Sequence, residues 1–267
     1  MKLSKESIDR ILNLHKGMNS YVLCFGGSDK AILIKNIIEN SGGKLVSPKF
    51  VRKEKNTELR YAVIIFVGSI NETEIFELES ILARLGSRAK IIMDLTNIKL
   101  SSNRRELALS YIRKYNIGII KGTDEELQIL KKANDRLSYE KTRSDNDKGT
   151  IYLARKSSTI IVEGNRNYLT DGYNEFKVND IGKKIIEDDT LNLIFSLLIT
   201  NCITNCNNIA EMIQRVILRL IALSVIISDN VITLDKFNET NNIVNGVMNI
   251  SSEVLSEKYR VCYWFKR

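Results

Sequence analysis

The chain has 267 residues, 43% of them hydrophobic and 27% charged, with a single proline and a formal net charge of +8. This composition excludes a disordered, collagen-like or coiled-coil protein, and a chain of this length buries enough surface to need no disulfide or metal staple. Four cysteines without a CxxC pair, and one histidine (His15), argue against the common zinc sites. The opening MKLSKESIDRILNLHK lacks an apolar signal core, so free thiols in a reducing cytoplasm are expected.

The first predicted element is a helix carrying Ile8, Ile11, Leu12 and Leu14, with His15 on its last turn as a capping or surface residue. Residues 49–60 (KFVRKEKNTELR) read as a surface loop. Three β-branched runs follow: YAVIIFVG (61–68), KIIMDL (90–95) and IGIIKG (117–122). Their hydrophobicity is continuous, which predicts strands of a parallel sheet buried on both faces. Between the first two, NETEIFELESILARLG places Ile75, Leu78, Ile81, Leu82 and Leu85 on one helix face, with Asn71 or Thr73 as N-cap and Gly86 as the stop. SSNRRELALSYIRKYN repeats the pattern. Alternating strands and helices at this spacing predict an open α/β sheet with helices on both faces.

Residues 131–149 read as a second surface loop, and STIIVEG (158–164) continues the sheet. NYLTDGYNEFKVN alternates in period two around Asp171-Gly172 and predicts a β-hairpin near 165–180. Residues 188–206 and 208–228 are expected to be buried helices, because their apolar runs fall short of the roughly 20 residues that span a membrane. Arg215 and Arg219 stack on one face of the second, and Cys202 and Cys206 are expected to pack inside the first. The tail 257–267 (EKYRVCYWFKR) interleaves Tyr259, Tyr263, Trp264 and Phe265 with Arg260, Lys266 and Arg267. Two readings fit it: a nucleic-acid contact, or a terminal strand docked on the core or on a neighbouring subunit. Nothing divides residues 1–267 into more than one domain.

Ligands of open α/β sheets sit beyond the carboxyl ends of the strands. Those ends carry Gly68-Ser69, Asp94, Lys121-Gly122 with Glu126 beyond, and Glu163-Gly164. Asp94 and Glu126 suit a magnesium ion held through its waters, as phosphoryl transfer requires; helix capping is the alternative.

These segments resemble the hydroxyethylthiazole kinase family. VIIFVGSINETEIFELESILARLGSRAKIIMDL is similar to its Gly-Ser/Thr strand end, helix and Asp-Pro magnesium motif. IRKYNIGIIKGTDEELQIL is similar to its Arg-Gly-Asn-x-x-Glu segment, TIIVEGNRNYLTDGYNEFKVN to its Val-Thr-Gly and Thr-Asp-Gly hairpin, and ITLDKFNETNNIVNGVMNI to its closing Gly-x-Phe helix. The ordered set spans about residues 16–250. The resemblance implies a ribokinase-like fold, a trimer with sites at subunit interfaces, and ATP- and magnesium-dependent phosphorylation of a thiazole alcohol in thiamine salvage. It implies Asp94 and Glu126 as metal-associated carboxylates and Lys121, Glu163 and Gly164 as nucleotide-contacting positions. By the same resemblance Cys24, in NSYVLCF, faces substrate.

Departures from the family pattern bear on activity. Where the family has Gly-Thr-Gly-Cys before its long helix, this chain has Glu187, Asp188, Asp189 and Thr190. Carboxylates thus replace an anion hole at a helix N-terminus. Thr190 stands at the position of the catalytic base, and its hydroxyl is no base near neutral pH. A one-residue shift would make Asp189 the base instead. Asp94 is followed by Leu95, Thr96 and Asn97 rather than Pro-Val-Gly, and Thr123 replaces an Asn. The sequence therefore predicts a kinase scaffold impaired or inactive in its reaction. The alternative is a non-catalytic binding or assembly protein that contacts RNA through a basic surface.

Overall fold

The structure, a computed structural model, describes residues 5–13, 20–98, 102–137, 146–163, 168–178, 188–204, 206, 208–229, 236–258 and 261–264. The first half of the chain runs α1 (Lys5–Asn13), β1 (Ser20–Phe25), α2 (Ala31–Asn40), β2 (Gly43–Leu45), α3 (Pro48–Lys53), β3 (Tyr61–Phe66), α4 (Glu72–Leu85), β4 (Ala89–Asp94), α5 (Ser102–Lys114) and β5 (Ile117–Gly122). The second half runs α6 (Asp124–Leu137), α7 (Asn146–Ser157), β6 (Ile160–Glu163), β7 (Tyr168–Thr170), β8 (Glu175–Val178), α8 (Asp189–Ile203), α9 (Ile209–Asp229), α10 (Lys236–Asn249), α11 (Ser252–Lys258) and β9 (Val261–Trp264).

Among the described residues, nine strands form one sheet in the order β2-β1-β3-β4-β5-β6-β7-β8-β9. The pairings from β2 to β6 are parallel; those from β6 to β9 are antiparallel. The continuous apolar runs are explained by burial on both faces. In β3, Ala62 and Ile64 join one core with α1, α2 and α8–α11. Val63 and Ile65 join the other, under α4–α7. The helix over 72–85 starts with the expected cap: Asn71 Oδ1 accepts the Glu74 amide at 2.9 Å, and Glu74 Oε2 accepts the Asn71 amide at 3.0 Å. The hairpin forms around Asp171-Gly172, where Asp171 Oδ1 accepts the Tyr173 and Asn174 amides. No described helix is long and apolar enough to cross a membrane.

Several expectations change. The segment read as a loop at 49–60 begins as helix α3, because Ser47 accepts the Phe50 amide at 3.3 Å and Pro48 sits at the first helical position. The loop expected at 131–149 is helical at both ends, in α6 and α7; only 138–145 lie outside the described residues. Cys206 is buried beyond the end of α8 rather than within it. Arg215 and Arg219 are buried, 3% and 7% exposed, with Arg215 paired to Glu211 one turn back. β9 pairs with β8, so the tail supplies a docked strand. His15 and residues 265–267 lie outside the described residues.

Candidate functional site

The chain passes from β1 to β2 on one side of the sheet and then crosses to β3 on the other. Such a reversal opens a crevice at the carboxyl ends of the strands. A cleft of about 130 Å³ lies there, lined by the loop after β1 (Gly27, Asp29, Lys30), the ends of β3 and β4, and the first turn of α8. Glu74 Oε1 accepts the Gly26 amide at 3.0 Å and ties the loop after β1 to α4. Backbone approach is close: a Cβ on Gly68 would lie 2.1 Å from the Thr96 carbonyl oxygen, so only glycine fits.

Asp94 ends β4 on the cleft floor, 1% exposed. Its Oδ1 accepts the Thr96 amide at 2.9 Å and the Thr96 hydroxyl at 2.6 Å. Its Oδ2 accepts the Ser196 hydroxyl at 2.5 Å and the Lys121 ammonium at 3.1 Å. Lys121, from the end of β5 and 2% exposed, also donates to Asn192 Oδ1 at 2.5 Å. Asn192 in turn donates to Thr96 Oγ1 at 3.1 Å, which closes the ring of bonds. Burial alone pushes the Asp94 carboxyl up; the Lys121 charge and the Ser196 and Thr96 hydrogen bonds outweigh it and hold the carboxyl below its ordinary value.

Glu126 belongs to a second closed arrangement. Its Oε2 accepts the Thr123 amide and its Oε1 the Asn97 amide, both at 2.9 Å, while the Glu126 amide donates to Thr123 Oγ1 at 3.3 Å. That is a capping box at the start of α6. Burial raises its carboxyl above the usual range, against the pull of the two amides.

The donor set does not fit a magnesium ion. Each Asp94 oxygen already accepts two bonds, and the cation beside it is an ammonium of the chain itself. Both Glu126 oxygens accept backbone amides, and among the described residues no three His, Cys, Asp or Glu side chains gather as a metal site.

At α8, Asp188 is the N-cap: its Oδ1 accepts the Thr190 amide at 2.8 Å and the Leu191 amide at 3.0 Å. Asp189 follows, exposed and on the cleft lining. Thr190 is half-buried. The cleft region thus brings together Asp94, Lys121, Glu126 and Asp189. Cys24 stands apart, in β1 beneath the cleft, with its Sγ 3.6 Å from the Gly26 carbonyl oxygen; burial and then the Glu74 charge push its thiol up. Glu163 ends β6, but its side chain, Gly164 and Glu187 lie outside the described residues. Thr96, Asn192 and Ser196 are site residues that sequence reasoning missed. A signal existed for two of them: Asn192, Ser196 and Thr200 form an i,i+4 polar stripe in an otherwise apolar helix.

Comparison with known proteins supports the architecture. A structure described as a hydroxyethylthiazole kinase protein from Pyrococcus horikoshii OT3 is similar at a TM-score of 0.74 and 14% identity, covering 97% of this chain and 99% of that one. A ribokinase-like superfamily protein from Enterococcus faecalis V583 is similar at a TM-score of 0.55 and 14% identity, covering 96% and 95%. The fold is therefore the ribokinase-like α/β fold that the sequence predicted. No family model matches the chain, and no curated protein sequence matches it.

Proposed function

We propose that this protein keeps the ligand cleft of a hydroxyethylthiazole kinase-like scaffold as a small-molecule binding site and is impaired in phosphoryl transfer. The observation that carries this reading is the Asp188 carboxylate seated on the Thr190 and Leu191 amides. A helix N-terminus with free amides attracts phosphate; here a fixed carboxylate already holds them. Two unit charges of like sign about 4 Å apart repel by about 4 kcal/mol at an effective dielectric of 20, and Asp189 adds a second carboxylate on the cleft lining. The cleft volume of about 130 Å³ is also below the roughly 300–1,000 Å³ of ordinary ligand pockets. That size suits a thiazole-sized or smaller polar molecule better than a nucleotide. Assembly into a homo-oligomer, a trimer by resemblance, belongs to the same reading and is tested by sedimentation velocity.

The second reading is a working kinase in which Asp189 is the base and Lys121 serves ATP with magnesium; the exposure of Asp189 on the cleft lining favours it. Thermal denaturation with millimolar MgATP, with and without the thiazole alcohol 4-methyl-5-(2-hydroxyethyl)thiazole, separates the two. A ligand at about 100 times its Kd stabilises the native state by about 2.7 kcal/mol. The proposal expects no shift with MgATP and no ADP release. ADP release that Asp189→Ala abolishes would establish the kinase instead.

A further inference from the structure

The opposite edge of the sheet, at the amino ends of the parallel strands, carries a cation surplus nearly as large as the chain's net charge. Residues 43–60 and 84–90 hold nine cations against two carboxylates, a surplus of seven in a chain whose whole balance is +8. These segments meet in space. α3 and the loop after it lie against the end of α4: Arg84 Nε donates to the Val51 carbonyl at 3.2 Å and Arg84 Nη2 to the Arg52 carbonyl at 3.1 Å, while Arg88 Nη1 donates to the Asn56 carbonyl at 3.4 Å. Arg52 pairs with Glu77 at 2.9 Å.

These three arginines are spent on building the face. The others are not. Lys49, Lys53, Lys55 and Arg60 are exposed, and among the described residues they form no ion pair. Of the two local carboxylates, Glu54 turns inward on its own loop and accepts the Asn56 amide at 2.8 Å. Like charges crowded without counterions work against a compact fold, so this cluster is best satisfied by an external polyanion.

We propose that the amino-end face is a binding surface for a polynucleotide, held through its phosphates. Three features select this partner. The free cations come from one continuous segment of chain, α3 and the loop from it to β3. The nearby aromatics are not offered to bases: Tyr21 and Phe50 stack on each other at 5.5 Å with Lys44 Nζ 5.8 and 5.9 Å from their centroids, so recognition is through backbone charge and indifferent to sequence. The large apolar side chains exposed among the described residues, Ile32, Phe76, Tyr173 and Ile209, all lie outside these segments, so the face has no anchor for a bilayer.

The surface is independent of the cleft, and its test does not touch the cleft. The probe is fluorescein-labelled (U)20 RNA, followed by anisotropy against the full chain at about 150 mM salt. The wild type should bind with a Kd on the order of 10⁻⁶–10⁻⁴ M. Lys49→Glu/Lys55→Glu should bind at least about tenfold more weakly, with its log K against log salt slope shallower by about 1.4, as expected for two lost single-strand phosphate contacts. Lys35→Glu/Lys177→Glu changes two exposed lysines elsewhere by the same net charge and should stay within about twofold. Circular dichroism confirms that each variant is folded. Equal weakening by both pairs, no binding by the wild type at ~100 µM, or tighter binding to phosphatidylserine-containing vesicles than to RNA would each overturn the proposal.

Discussion

At the carboxyl end of the sheet, Asp94, Lys121 and Glu126 are buried with their polar atoms bonded to partners within the chain, and one oxygen of Asp188 accepts two amides of its own helix. At the amino end, Lys49, Lys53, Lys55 and Arg60 stand in solvent with no ion pair among the described residues. The same sheet therefore buries a paired charge network at one edge and displays a group of unpaired cations at the other. An internal charge is coupled to folding, because removing its partner strands it in a low dielectric. A displayed charge is coupled to whatever meets the surface, and folding is nearly indifferent to it.

The largest test of that contrast is Lys121→Met. Stripping the ammonium from the buried Asp94 should cost about 3–5 kcal/mol in urea denaturation, and adding Asp94→Asn should recover much of it. Manganese should raise the melting temperature of Lys121→Met and leave the wild type unmoved, because the ammonium stands where a cation would sit. Stabilisation of the wild type by manganese would break the contrast at its strongest point. Asp188→Ala comes next: loss of the cap on α8 should cost about 0.5–2 kcal/mol by the same measurement, and it should also reduce the electrostatic barrier to anions at that helix end.

Acidification gives a smaller effect with a sign that differs between the two buried carboxylates. Glu126 titrates above its ordinary value when folded, so the native state takes up its proton first. As pH falls through that folded pKa towards about 4.3, the wild type should gain stability relative to Glu126→Gln. Asp94 is held below its ordinary value; its contribution is complete above about pH 4 and disappears as pH falls through its folded pKa. Urea midpoints of the two proteins from pH 7 to 4 check the direction. The smallest effect is expected at the amino end, where Lys49→Glu/Lys55→Glu should move the melting temperature by no more than about 1–2 °C.

Much of this fold was readable because its signals are local. The runs at 61–68, 90–95 and 117–122 became β3, β4 and β5, and Asn71 and Gly86 bounded α4 as expected. The hairpin around Asp171-Gly172 formed because the turn residues dictate it. α3 was missed although Ser47-Pro48 is a helix-start signal, because six residues with three charges and no full turn of apolar spacing look like a loop. β2 was missed because three residues of edge strand carry no periodicity.

The candidate site divides along the same line. That Asp94 and Lys121 sit at strand ends, with Glu126 just beyond, followed from the order of elements along the chain. Whether those groups face a ligand or each other did not, since Lys121 and Asn192 are 71 residues apart and Asp94 and Ser196 are 102 apart. The chain alone determined the sheet, its helices and the inventory of charge, because periodicity and capping act over a few residues. Only tertiary structure decided that Asp94 and Lys121 neutralise each other at one edge while Lys49, Lys53, Lys55 and Arg60 are left to solvent at the other, because ion pairing depends on distances of a few ångströms between segments that sequence does not bring together.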